Sequence, residues 1–161
     1  MPAVSEPSLP HTWRPLGVRL AMLFFGSLLL IVCVAAWFAI GAEVRGRVDI
    51  YQRASFVMIG AMVVAVAWAL VRCRVTATER GLEVVNGYRR RAYEWAEVVE
   101  VHMPRGAPFA TFDLADGTTT QALGIQAADG DRAREAVRQL RVLLDRTAGE
   151  ESVQRPDPPG E

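Results

Sequence analysis

The sequence predicts a membrane protein of mixed α and β structure: two transmembrane α-helices, then a small antiparallel β-sheet domain closed by one C-terminal helix. Three observations carry this. Two long uncharged apolar runs, 20–42 and 54–71, sit close together in the first half of the chain. After Val71 the apolar residues switch to short alternating stretches divided by turn residues, the period-two pattern of half-buried strands. Before the C-terminus they return to helical spacing in one amphipathic stretch.

Each apolar run is close to the roughly 20 residues that cross a bilayer core. Trp13, Trp37, Tyr51 and Trp68 lie at or near their ends, where amphipathic rings are comfortable at headgroup depth. Two such runs in a chain of 161 residues leave too little protein to cover them, which argues against buried helices of a soluble fold. Neither run has an ionisable residue in its interior, which argues against a channel or transporter. The short connector 43–53 is expected to be a loop. Arg14, Arg19, Arg72, Arg74, Arg80 and the 89–91 cluster flank the hairpin, against Arg45, Arg47 and Arg53 in the connector. The bias favours a multi-pass protein of the cell membrane with both termini and the sheet domain in the cytoplasm. An alternative is a secretory signal cut near Val34, Ala35 and Ala36. Even then the second run keeps the domain inside.

Ala61, Ala65 and Ala69 recur every four residues on the second run, and small residues let helix backbones approach closely. Packing against Ala35 and Ala39 within the hairpin is the favoured use. A homo-oligomer contact is the other.

The head, 1–15, holds four prolines and is expected to be disordered until near Arg14. From residue 73 to 147 the chain reads as one domain. Strands are expected over 73–79, 82–85, 92–95, 97–103, 109–114 and 118–125. Asn86-Gly87 and Asp116-Gly117 are strong hairpin turns, and Pro104 and Pro108 break the chain between strands. Ala133, Ala136, Val137, Leu140, Leu143 and Leu144 form one face of the final helix, with Arg132, Arg134, Arg138 and Arg141 on the other side. Asp129 or Asp131 suits its start and Gly149 its end. The acidic, proline-containing tail 148–161 is expected to be disordered.

The net charge is zero and all 18 basic residues are arginine, with no lysine, which points to a GC-rich bacterial genome. Cys33 lies inside the first run and Cys73 after the second, too far apart in depth for a disulfide, and cytoplasmic thiols stay reduced. Between Arg74 and Thr147 there is no serine, no lysine and one histidine, His102. A serine nucleophile, a Schiff-base lysine and a His/Cys zinc set are therefore missing. Glu94 and Glu97 flank Trp95 at a turn and read as solvated carboxylates, with Trp95 in the core. Single turn glycines make no phosphate loop. The expectation is no enzyme, no catalytic residue, no cofactor and no metal. The feature above background is basic: Arg89, Arg90 and Arg91, with Arg72 and Arg74 near the membrane, where each charge gains about 1 kcal/mol from anionic lipid. Membrane lipid or an acidic protein partner is the expected contact. Glu83, Glu94, Glu97 and Glu100 dilute the cluster and argue against nucleic acid.

The order of elements resembles the bacterial PH-like domains of small actinobacterial membrane proteins. The residues that carry the likeness are TERGLEVVNG (78–87), RRR (89–91), EWAEV (94–98) and DLADGT (113–118), behind a two-span hairpin. The resemblance implies a PH-like partial barrel of five or six strands, a strand or so short of the full barrel. It implies a membrane-anchored interaction or scaffold module with no catalytic signature. The alternative is an accessory subunit that packs through its hairpin against a larger membrane complex.

Overall fold

The fold comes from a computed structural model that describes residues 7–154, with side chains over 7–149. The elements run β1 His11–Trp13, α1 Leu16–Ala39, α2 Ala42–Arg47, α3 Ile50–Arg72, β2 Arg74–Thr78, β3 Gly81–Asn86, β4 Arg89–Glu94, β5 Val98–His102, β6 Phe109–Leu114, β7 Thr119–Gln126 and α4 Asp131–Gln154. The chain divides into two compact units: the helical segment Leu16–Arg72, and a sheet domain drawn from the residues on either side of it.

In the helical unit, α1 and α3 are each long and apolar enough to cross a membrane, and neither has a buried residue. Both start about four residues earlier than the apolar runs indicated. The connector, expected as a loop, folds into α2, whose one turn is fastened by Arg47 on Glu43 at 2.6 Å. Partial burial in α1 and α3 is confined to the ends that adjoin the sheet domain in sequence, where Arg19 Nη2 donates to the Val71 carbonyl at 3.2 Å. Ala61 and Ala65 are exposed and Ala69 is partly covered. Of the three, Ala69 lies nearest the partly covered end.

In the sheet domain, the first sheet has the order β1-β2-β3-β4 and the second β5-β6-β7, all antiparallel. The six strands read after Val71 are all present. The seventh lies in the head. His11, Thr12 and Trp13 pair with Ala77, Thr76 and Val75, and Trp13 packs on the core while its indole donates to Gln139 Oε1 at 3.1 Å. The expectation of a disordered head is corrected for these residues; 1–6 lie outside the described residues. Proline excludes helix here but not an edge strand, and the strand is held by residues far along the chain. The helical unit is thus an insertion between two neighbouring strands of one sheet.

The core alternates as the pattern required. Val75, Ala77, Leu82 and Val84 face inward from the first sheet, and Val101, Ala110, Phe112 and Ala122 from the second. α4 lays Ala133, Ala136, Val137, Leu140 and Leu143 on β5 and β7. Trp95 is buried, and its indole donates to the Thr78 carbonyl at 3.0 Å. Gly124 allows β7 to cross β2 closely: a Cβ there would sit 2.7 Å from the backbone of Arg74. The helix does not stop at Gly149 but continues to Gln154, correcting the tail boundary of 148. Glycine inside a helix costs only about 1 kcal/mol, and no proline intervenes before Pro156. The remainder of the tail lies outside the described residues.

Candidate functional site

The site is built by the edge of β4. Asn86 opposes Arg89, so the β3–β4 turn is Gly87-Tyr88, and only the glycine takes positive φ, at 63°. This puts Arg89, Arg90 and Arg91 on the strand itself, which begins three residues before the 92 expected from the sequence. Strand alternation then divides the cluster. Arg90 points to the outer face, where Glu83 accepts from it at 2.7 Å and from Arg74 at 3.3 Å. One carboxylate answers both arginines.

Arg89 and Arg91 point to the inner side, the side on which β2 and β3 carry valine, alanine and leucine. They are exposed, β4 being an edge strand of the first sheet, and a groove of about 370 Å³ lies between β4 and the start of β7. Val84, Asn86, Arg89, Arg91, Thr119, Thr120, Gln121 and Leu123 line it. Side chains from β3 and β4 reach across to β7. Asn86 donates from Nδ2 to the Gln121 carbonyl at 2.6 Å and accepts from the Leu123 N–H at 3.0 Å. The Tyr93 and Thr120 hydroxyls lie 2.9 Å apart. Among the described residues neither Arg89 nor Arg91 has an ion-pair partner, and the lining holds no carboxylate. What the arrangement offers is two guanidinium groups in a lining that also holds hydroxyls and amides, groups suited to an anion.

Of the five arginines singled out from sequence, the fold brings Arg89 and Arg91 together in the groove and ties Arg74 and Arg90 to Glu83. Arg72 is the last residue of α3. Asn86, Thr119, Thr120 and Gln121 were not legible as site residues, since only the meeting of β4 with β7 selects them.

A second cleft of similar size lies at the far end of β3 and β4, with Glu83, Glu94 and Glu97 in its lining. These carboxylates are engaged. Glu94 and Glu97 form a reciprocal capping box over the turn Trp95–Glu97, with the Glu94 N–H donating to Glu97 Oε2 at 2.9 Å. On the outer face of β5 and β6, Glu100 lies opposite Asp113, and His102 Nδ1 is 3.4 Å from Asp113 Oδ2. One ligand atom from each of the three falls within 4.8 Å of the others. His102 is thus a surface residue paired across strands, and its proximity to both acids comes from register alone. At the β6–β7 turn, Thr118 donates its hydroxyl at 2.7 Å and its N–H at 2.8 Å to Asp116 Oδ1, which holds the Asp116 carboxyl below the usual range.

Two sheets of four and three antiparallel strands with one C-terminal helix agree with the comparison by sequence, in which residues 72–142 match the family model of the bacterial PH domain. The chain belongs to the bacterial PH domain family. It is 34% identical over 140 residues to uncharacterized proteins Mb1452 of Mycobacterium bovis and Rv1417 of Mycobacterium tuberculosis, covering 85% of this chain and 86% of each relative. A match of that length takes in most of the helical segment as well as the PH domain. No solved structure matches the chain. The model of the family begins at residue 72, so it does not include β1, the strand that this bacterial PH domain takes from in front of its helices.

Proposed function

We propose that this bacterial PH domain protein is a membrane-anchored interaction module. α1 and α3 cross the bilayer as a hairpin, the sheet domain and both termini are cytoplasmic, and the β4 arginines contact anionic lipid or an acidic partner. The observation that carries the reading is the pairing of β1 with β2. The chain leaves one sheet after Trp13 and re-enters it at Arg74, so a spanning segment between them must cross an even number of times. The arginine bias assigns the side. PH domains commonly serve lipid or protein interaction, and the absence of a serine or lysine between Arg74 and Thr147 agrees with binding over catalysis.

Single cysteines at Gly46 in α2 and at Thr147 in α4, in a Cys33→Ala/Cys73→Ala background, test the topology in intact cells. Labelling of residue 46 by a membrane-impermeant maleimide, and of residue 147 only after lysis, is the expected result. Labelling of residue 147 in intact cells overturns it.

A second reading is favoured by the exposed Ala61 and Ala65: the hairpin packs against another membrane protein, and the domain is its cap. Purification of the full chain in mild detergent distinguishes the two. One stoichiometric membrane partner supports the subunit reading, and a lone species argues against it.

A further inference from the structure

We propose that Glu100, His102 and Asp113, on the outer face of β5 and β6, form a site for a divalent transition-metal ion, with Zn²⁺ the ion whose geometry fits. The site is separate from the arginine groove. The sequence excludes a His/Cys ligand set, and strand register supplies carboxylates in its place. Glu100 and His102 are two apart on β5 and share a face, and Asp113 lies directly opposite Glu100 on β6. One donor atom from each side chain falls within 4.8 Å of the other two.

Charge and hydrogen bonding both set this cluster apart from a solvated patch. Glu100 and Asp113 are like charges directly opposite each other, an arrangement that destabilises a strand pair. The protein has 18 arginines, and Glu43, Glu83, Asp131 and Glu135 each hold one in an ion pair. Among the described residues no arginine pairs with Glu100 or Asp113. A divalent cation balances both charges, where an imidazolium balances one. His102 Nδ1 is itself buried and makes no hydrogen bond, a costly state unless something binds the nitrogen. It lies 3.4 Å from Asp113 Oδ2. Zn–N and Zn–O bonds of about 2.1 Å at the tetrahedral angle hold two donor atoms about 3.4 Å apart, so these two stand where ligands of one ion stand. Glu100 is exposed, and rotation of its side chain brings a carboxylate oxygen to the third position. An imidazole among the ligands favours a transition metal over Ca²⁺ or Mg²⁺, which take oxygen. Three protein ligands leave the fourth position to water.

The untagged full-length protein, purified in mild detergent and stripped with a chelator, is titrated by calorimetry with ZnCl₂, and with MgCl₂ and CaCl₂ for comparison. One saturable Zn²⁺ site per chain is expected, with Mg²⁺ and Ca²⁺ binding far more weakly. His102→Gln and Asp113→Asn should each weaken Zn²⁺ binding by roughly 100-fold, the upper end of what loss of a ligand's supporting partner costs. His11→Gln and Cys33→Ala, which remove the other histidine and the exposed thiol, should leave it unchanged. Zn²⁺ should also raise the thermal midpoint of the parent and not of Asp113→Asn. A metal-free midpoint no lower than the parent's excludes misfolding of a variant. Should either ligand variant fail that control, Glu100→Gln, at an exposed position, takes its place. The absence of saturable Zn²⁺ binding overturns the site. So does binding that survives the ligand variants, binding lost with His11→Gln or Cys33→Ala, or equal binding of Mg²⁺ or Ca²⁺.

Discussion

Trp13→Ala tests whether the head belongs to the domain. In a disordered head the substitution would cost nothing. Here Trp13 is half-buried against the core and its indole donates to Gln139 Oε1 at 3.1 Å. Complete burial makes a Trp→Ala change cost about 3–5 kcal/mol, so half-burial gives about 2 kcal/mol. The lost hydrogen bond adds about 1 kcal/mol. A total of about 3 kcal/mol is a large share of a stability of about 5–15 kcal/mol. For a domain of this size each kcal/mol lowers the midpoint by about 4–8 °C, so a fall of roughly 10–20 °C is expected. Cys73 provides the readout: it is 1% exposed and lies at the start of β2, beside the strand that β1 covers. In a Cys33→Ala background it is the sole thiol, and a fluorogenic maleimide reports its exposure during a thermal ramp in detergent. A midpoint within 2 °C of the parent, about the effect of a surface substitution, would refute the claim that β1 completes the sheet.

Asn86→Ala removes both bonds that the side chain makes to β7 and leaves the Leu123 N–H without its partner; a loss of about 2 kcal/mol is expected in the same thermal assay. Gly124→Ala drives a Cβ to within 2.7 Å of the β2 backbone, which cannot yield as a side chain can, and should cost about 1–3 kcal/mol. The Asp116 carboxyl titrates below its unfolded value because of the Thr118 hydroxyl first and the Thr118 N–H second. A depressed carboxylate stabilises the fold above its unfolded pKa, and that contribution is lost in acid as pH falls through the folded value. Thr118→Val should move the Asp116 titration upward toward the ordinary range by NMR while the backbone bond remains, and no movement would contradict the assignment.

Much of the architecture was legible because its determinants are local. Two uncharged runs define the helical unit, since a bilayer-length apolar stretch needs no distant partner to be recognised. Alternation and the turns at Gly87 and Gly117 mark six strands, and the spacing of Ala133 to Leu143 marks the helix face. The arginine cluster was legible as composition but not as geometry. Its members are adjacent in sequence, whereas their placement follows from register, which puts Arg90 with Glu83 and turns Arg89 and Arg91 the other way. β1 left no periodic trace, because three residues among prolines are too few to show one. Its place is set by β2, Gln139 and the core, all separated from it by more than sixty residues. The groove depends on two strands that no local rule brings together. Local physical chemistry thus determined the two long apolar helices, the strands and the amphipathic helix; long-range pairing alone decided that the first sheet takes a strand from in front of those helices and where Arg89 and Arg91 meet.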